Sequence, residues 1–451
     1  MGSARSAALA ALSVVALVTA WAYRPLWDVD LFWHIATGRL IADQGLPETD
    51  VFSAADPSQP WTTFQWGYQV LVARLHESGG LGGLRALHAL VIGLALGAWT
   101  WLQARRSGLG VALCSAVVLL LLFEDRVRAR PHVFELLFVV LLMGLVRGGR
   151  TGAALMALGL APLWANLHAV SAVWWLALVG AWTVGERSQR SAAVLVLGAL
   201  ALASAPNAIE GVLTAGRTHA TWPDTFVPEL ARPWVYVDEG WWGYLMLAGV
   251  AAGLVSAADL ARRDAPLAEK IVAVGTAVAA LLLARWVWFA ALPIGFWLAR
   301  ARPRGQGLIT LGALLALALH VGPRWSLAER AEDLQPGAFP EGAAAWMLDK
   351  GLAVATDTTT QWSGYWLYAV PGSRVLADGR LLFSDDVAEL LLRRADGDAT
   401  TFDAAVGRFH TLALVWPAGD LPPLDPSRWR RIYADEVAEV WLPSPAWGRI
   451  P

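Results

Sequence analysis

The sequence predicts a mainly α protein: a polytopic bundle of transmembrane helices followed by a small α/β domain at the C-terminus. Three observations carry this. Apolar runs near the roughly 20 residues that cross a bilayer recur between positions 6 and 321. Of 451 residues, 56% are hydrophobic and 16% charged, where a soluble chain carries about a quarter charged, and mean hydropathy is +0.47. From residue 323 onward charge returns and the apolar runs shorten.

The first span is read at 6–23. A secretory signal is the alternative, because Arg5 precedes the run and Val18-Thr19-Ala20 is a small-residue cleavage site. Trp21 and Tyr23 suit an interfacial anchor and favour the span. Further spans fall at 80–104, 108–123, 131–146, 151–166, 168–185, 190–205, 241–258, 267–284, 286–300 and 305–321, about eleven in all by length. Several are short, which predicts tilted, broken or re-entrant helices.

With the N-terminus inside, the inner connections hold Arg105 and Arg106, Arg147 and Arg150, Arg187 and Arg190, Arg262, Arg263 and Lys270, and Arg300, Arg302 and Arg304. That is the positive-inside pattern. One cluster opposes it: Arg126, Arg128 and Arg130 fall outside.

Four pieces then lie on the outer face: the loop 24–79, the short loop 124–130, the Pro- and Trp-rich stretch 206–240, and the tail. Within the first, 31–43 and 64–77 have apolar positions at helical spacing and read as two surface-lying helices. The tail reads as helices at 338–348 and 384–394, with strands at 353–356, 362–368, 374–377, 411–416, 431–434 and 438–442. The division is thus a membrane domain, 1–322, and an extracytoplasmic α/β domain, 323–451, of about 125 residues.

Composition also excludes. A net charge of −2 argues for no nucleic-acid partner. The single cysteine, Cys114, rules out an internal disulfide. No phosphate-binding Gly-rich loop, dinucleotide fingerprint or nucleophile elbow occurs. The 26 tryptophans suit interfacial belts.

The stretch that organises the chain is Asp28-Val29-Asp30-Leu31-Phe32-Trp33-His34, with Gly38-Arg39, just beyond the first span. To it add Arg130-Pro131-His132-Val133-Phe134, Trp164-Ala165-Asn166-Leu167-His168, Pro206-Asn207, the run from Arg285 to Pro293, Asp357 to Tyr368, and Ala377-Asp378-Gly379-Arg380. On these the chain resembles the bacterial GT-C-type membrane glycosyltransferases, over most of its length. The resemblance implies a sugar donor on a polyprenyl phosphate or pyrophosphate, membrane lipid as a partner, and an envelope or lipid-linked acceptor. It implies the bacterial inner membrane, with the soluble tail outside. It gives Asp28 or Asp30 the role of the essential acid in the first external loop, and Glu124-Asp125 that of a second. The acceptor-recognition motif of oligosaccharyltransferases is not identifiable here, and the tail is much smaller than theirs.

The chemistry needs an acid to take a proton from the acceptor hydroxyl and cations to meet the leaving phosphate. Asp28 and Asp30 are the catalytic candidates. Arg126, Arg128, Arg130 and His132 are candidates for the donor phosphate, since arginine matches phosphate oxygens geometrically. Glu124 and Asp125 are candidate ligands for Mg²⁺ or Mn²⁺, hard cations that prefer oxygen. His34, Arg39, His168 and Arg285 complete the set. Bland readings stand beside each. Asp30 alternatively caps the helix that starts at Leu31. Glu124 and Asp125 alternatively pair with neighbouring arginines. The three outer arginines alternatively meet lipid headgroups, and the histidines are interfacial ones. Asp378-Gly379-Arg380 reads first as a turn after a strand.

Two other functions compete with glycosyl transfer: a transporter or lipid-carrier translocase, and a non-catalytic assembly protein for envelope polysaccharide. Transporters place ionisable groups near the bilayer midplane. Here the span centres are almost free of charge and the acids cluster at one face, which favours interfacial chemistry.

Overall fold

The computed structural model describes residues 2–148, 151–221, 231–301, 304–321, 329–382 and 384–444. Arg150, Arg302, the middle of the 206–240 stretch and the expected domain boundary at 322/323 lie outside them. The chain forms two compact units: Met1–Arg24 with Leu84–Ala331, and Pro25–Gly83 with Glu332–Pro451. The first external loop therefore clusters with the tail rather than with the helices that flank it.

The first unit is helical. Its helices are α1 (Gly2–Ala22), followed in sequence by α2 (Asp30–Gln44) of the other unit, and then α3 (Trp66–Ser107). Helix α3 runs on from the second unit and is broken at Gly80, where φ is 60° and ψ −161°. That break separates the expected loop helix at 64–77 from the expected span at 80–104. Next come α4 (Leu109–Phe123), α5 (His132–Val146), α6 (Thr151–His168), α7 (Val173–Glu186), α8 (Gln189–Ala203), α9 (Ala208–Thr221), α10 (Trp241–Arg262), α11 (Leu267–Leu282), α12 (Ala291–Ala301) and α13 (Gln306–Val321). A helix thus covers each apolar segment picked from sequence. Among the described residues four helical stretches are long and apolar enough to cross a membrane: Ala4–Ala22, Trp66–Ser107, Thr151–Glu186 and Trp241–Arg262. Helices α8 and α9 bend by 76° across their break, as a broken span or re-entrant loop would.

Large aromatic side chains fill this unit. Trp99, Phe123, Trp164, Trp175, Phe289 and Phe296 are fully buried. Trp175, Trp242 and Trp288 lie in the core rather than in an interfacial belt. Trp241, 52% exposed, fits the belt. Helices α1 and α3 approach closely because Gly93 and Gly97 face α1. A Cβ on Gly93 would lie 2.8 Å from the Val15 carbonyl, and one on Gly97 3.0 Å from that of Ala11. Small residues four apart are what such close helix pairs require in lipid.

The second unit is built on a five-stranded sheet. Its strands are β1 (Ala355–Thr358), β2 (Arg374–Val375), β3 (Ala413–Pro417), β4 (Trp429–Ala434) and β5 (Ala438–Pro443), in the order β2-β1-β3-β5-β4. The β1 pairings are parallel and those of β5 antiparallel. Four helices join it: α14 (Glu341–Asp349), α15 (Thr360–Ala369), α16 (Asp385–Ala395) and α17 (Thr400–Phe409). Two expectations fail here. Residues 362–368 form helix α15, not a strand: Thr359 caps it, its hydroxyl accepting the Trp362 N–H at 3.3 Å. Helix α17 was not foreseen at all.

Helix α2 does not lie on a surface. Leu31 through Gly38 are all buried. Phe32 meets Phe339, Tyr365 and Tyr368 at ring distances of 4.8–5.2 Å, and Gly38 packs against the Gln69 carbonyl. The loop is also stitched to the tail by backbone: the Val375 N–H donates to Phe52 O at 2.9 Å, and the Ala54 N–H to Val375 O at 2.8 Å.

Candidate functional site

In the second unit, Asp28 is 2% exposed. Its Oδ1 accepts the Asp30 N–H at 3.0 Å. A carboxylate at the positive end of a helix satisfies an orphan donor. Asp28 thus meets one orphan donor of the helix, while the residue at the cap position, Val29, offers no capping side chain. The helix starts one residue earlier than expected, Asp30 stands in its first turn, and its own side chain is half-buried.

The Asp378-Gly379-Arg380 turn lies against Asp30. A Cβ on Gly379 would come within 2.5 Å of Asp30 Oδ1, so a larger residue here would push the Asp30 carboxylate aside. The turn is locked by charge. Arg380 donates from Nε to both Asp378 oxygens at 3.0 Å and from Nη1 to Asp50 Oδ1 at 2.7 Å. Trp61 lies 4.5 Å and Phe52 5.2 Å from the guanidinium. Burial opposes the charge on Arg380, but Asp378 and Asp50 outweigh it and hold the guanidinium above its ordinary pKa. Burial also pushes Asp50 up, against the pull of Arg380. The expected turn is present, and its function is to hold a backbone segment beside Asp30.

His34 is packed between Trp33, at 3.7 Å, and Tyr68, at 4.9 Å. Arg39 spans elements of the same unit: it reaches Tyr368 O and His76 Nδ1, each at 3.4 Å, while the Tyr368 hydroxyl meets His76 Nε2 at 2.9 Å. Both read as positioning groups of this unit's core.

In the first unit, Glu124 and Asp125 open a short 3-10 turn after α4. Glu124 is buried. Its Oε1 takes Arg24 at 2.9 Å and its Oε2 takes His320 at 3.1 Å. Burial raises the cost of its charge, but His320 and Arg24 outweigh that and hold the carboxyl below its usual range. His320 in turn stacks on Trp242 at 3.5 Å. Asp125 takes Arg128 at 3.2 Å and the Tyr236 hydroxyl at 3.0 Å. A cation between Glu124 and Asp125 would therefore meet carboxylates already matched by protein donors. Among the described residues no group of three or more His, Cys, Asp and Glu side chains could hold a metal ion. No step below runs through one.

Arg126 is buried, while Arg128 and Arg130 are half-buried. His132 Nε2 lies 2.6 Å from the Arg126 carbonyl, which fixes the loop at the start of α5. One turn into α5, Glu135 is buried and lies 3.8 Å from His168 Nδ1. Its electrostatic neighbours are Arg285 and Arg126. Arg285 sits in the 3-10 turn between α11 and α12, half-buried as a snorkelling or cavity-facing arginine should be. Arg126, His132, Glu135, His168 and Arg285 thus converge at one end of this unit. Sequence reasoning found four of them and missed Glu135. A lone acid one turn into an apolar segment was the available signal. Arg24, Tyr236 and His320 were missed too, and nothing in their spacing marks them.

No family model matches the sequence, and no curated protein matches it. Solved structures do. The chain aligns with ArnT from Cupriavidus metallidurans, in the apo state, at a TM-score of 0.58 and 13% identity, over 97% of this chain and 98% of that one. It aligns with the apo oligosaccharyltransferase of Archaeoglobus fulgidus at a TM-score of 0.53 and 12% identity, over 92% of this chain and 69% of that one. Coverage of this extent takes in both units, so the chain shares the fold of these two proteins.

Proposed function

We propose that the protein is an integral-membrane glycosyltransferase that moves a sugar from a polyprenyl-phosphate-linked donor to an envelope or lipid-linked acceptor at the external face. The observation that carries this is the fold shared with two glycosyltransferases over nearly the whole chain. In the reaction the acceptor oxygen bonds to the anomeric carbon and the bond from that carbon to the phosphate oxygen breaks. Asp28 or Asp30 takes the acceptor proton, and the phosphate leaves with added negative charge. For the donor phosphate the helical unit offers Arg126, Arg128, Arg130, His132 and Arg285, since guanidinium groups match phosphate oxygens.

The test is transfer of labelled sugar from a polyprenyl-phosphate donor in proteoliposomes. Asp28→Asn and Asp30→Asn keep size and can still accept a helix N–H, yet cannot take the proton. The residue that acts as base should lose transfer by about a hundredfold or more as Asn. Asp28→Ala should also cost about 1 kcal/mol of stability, through the lost cap. Full transfer in both Asn variants and in the double variant would remove this stretch from the mechanism. Chelation in the same assay reads out dependence on Mg²⁺ or Mn²⁺.

A further inference from the structure

At another end of the helical unit, three arginines share one carboxylate. Glu269, in the first turn of α11, takes Arg106 at 3.4 Å and Arg147 at 3.4 Å on Oε1, and Arg300 at 2.7 Å on Oε2. Arg147 is held on its other side by Gln103 at 2.7 Å, and its electrostatic neighbours include Glu269, Arg106 and Arg300.

The cluster is layered. Glu269 and Arg147 form a floor, with side chains 1% and 4% exposed. Arg106 and Arg300 form a rim, 41% and 30% exposed. Each charge has a local reason: Arg106 and Arg300 lie in last turns and Glu269 in a first turn, where helix dipoles favour those signs. The dipoles do not explain why four helices bring the charges together. Like charges at such separation repel, and each guanidinium carries five donors in a rigid fork that matches phosphate.

One turn before Arg105, Trp101 is 39% exposed, and the Arg105 guanidinium lies 4.9 Å from its ring. Exposed tryptophan beside arginine marks headgroup depth. Basic pockets between transmembrane helices are where anionic headgroups bind.

We propose that Arg106 and Arg300, over the Glu269–Arg147 floor, form a binding site for a phosphate-bearing anion, supplied by the headgroup of an anionic phospholipid. The site is separate from the Arg126 and Arg285 cluster and does not rest on the glycosyltransferase reading.

The test uses the full chain in detergent. Retention of phosphatidylglycerol and of phosphatidylcholine with the same acyl chains is measured by native mass spectrometry, with melting followed in parallel and inorganic phosphate as a third probe. Phosphatidylglycerol should be retained and raise the melting temperature; phosphatidylcholine should do neither. Arg106→Gln and Arg300→Gln should each weaken retention about fivefold, the usual effect of one basic residue near an anionic headgroup. Stabilisation by inorganic phosphate that vanishes in the double variant would keep the site and make free phosphate a ligand as well. Equal retention of the two lipids by the unmodified protein, or undiminished phosphatidylglycerol retention in the double variant, would overturn the proposal. The first comparison needs no variant, so a double variant that fails to fold leaves the site testable.

Discussion

At the residue scale, Glu124 separates two readings of the same acid. As an exposed loop carboxylate or a metal ligand, it would tolerate Gln with little effect on folding. Its burial between Arg24 and His320 predicts otherwise. Removing one member of a buried pair leaves the other charge desolvated and costs about 3–5 kcal/mol. Glu124→Gln should therefore lower thermal stability sharply, while Asp125→Asn, at a partly exposed site, should cost far less. Replacing Arg24 and Glu124 together by Leu should recover most of the loss, since an apolar pair of similar volume is often neutral. A stable Glu124→Gln single variant would sink this account. The sequence made Glu124 conspicuous by its place at a span end, but not its partners: Arg24 lies 100 positions away, and periodicity carries no trace of such contacts. Asp28 and Asp30 were legible for the same reason of place. Which of the two meets the helix end was not, because a start one residue earlier moves Asp30 into the first turn and Val29 to the cap position.

At the element scale, α1 and α3 depend on two glycines. Leucine at Gly97 would meet Val15 Cγ2 and the Ala11 carbonyl, and overpacking of this kind costs about 1–3 kcal/mol or more. Gly275, on α11, has nothing within 4 Å of a built Cβ, so Gly275→Leu should be tolerated. Melting of the two purified variants makes the comparison leucine for leucine. Equal stability would mean that α1 is not packed on α3, as it would not be if the first segment were cleaved as a signal. Apolar helices were legible because a long run without charge has few other fates in a chain of this composition. The tail was less so. Residues 362–368 carry Trp362, Tyr365, Trp366 and Tyr368, and aromatic enrichment reads as strand. That preference reflects packing rather than backbone, and here the packing is against α2, where a helical face suits better. Helix α2 misled in the opposite direction: its apolar positions at helical spacing suggested a surface-lying helix, yet the polar His34 and Thr37 are buried along with Phe32.

At the scale of the whole molecule, side-chain contacts constrain the path of the chain through the membrane. Arg24, Glu124 and His320 follow or close α1, α4 and α13, and Glu124 touches both of the others. Arg106, Arg147, Glu269 and Arg300 lie at ends of α3, α5, α11 and α12, and these touch as a second group. In the alternating path read from sequence, every member of the first group falls on the outer face and every member of the second on the inner. A single miscounted crossing between Arg24 and Glu124 would put them on opposite faces, about 30 Å apart by the thickness of the hydrocarbon core, which a 2.9 Å contact forbids. The absolute direction then rests on the basic inner connections, from which the residues after α13 are expected outside. A single cysteine tests this, because the native Cys114 is buried. Asp420→Cys, in the tail, should react with a membrane-impermeant maleimide in intact spheroplasts. Gln189→Cys, at the start of α8, should react only after the membrane is permeabilised. The reverse pattern would invert the protein and remove the external-face chemistry with it. Labelling of both positions before permeabilisation would instead show that the path between Gln189 and Asp420 crosses an even number of times.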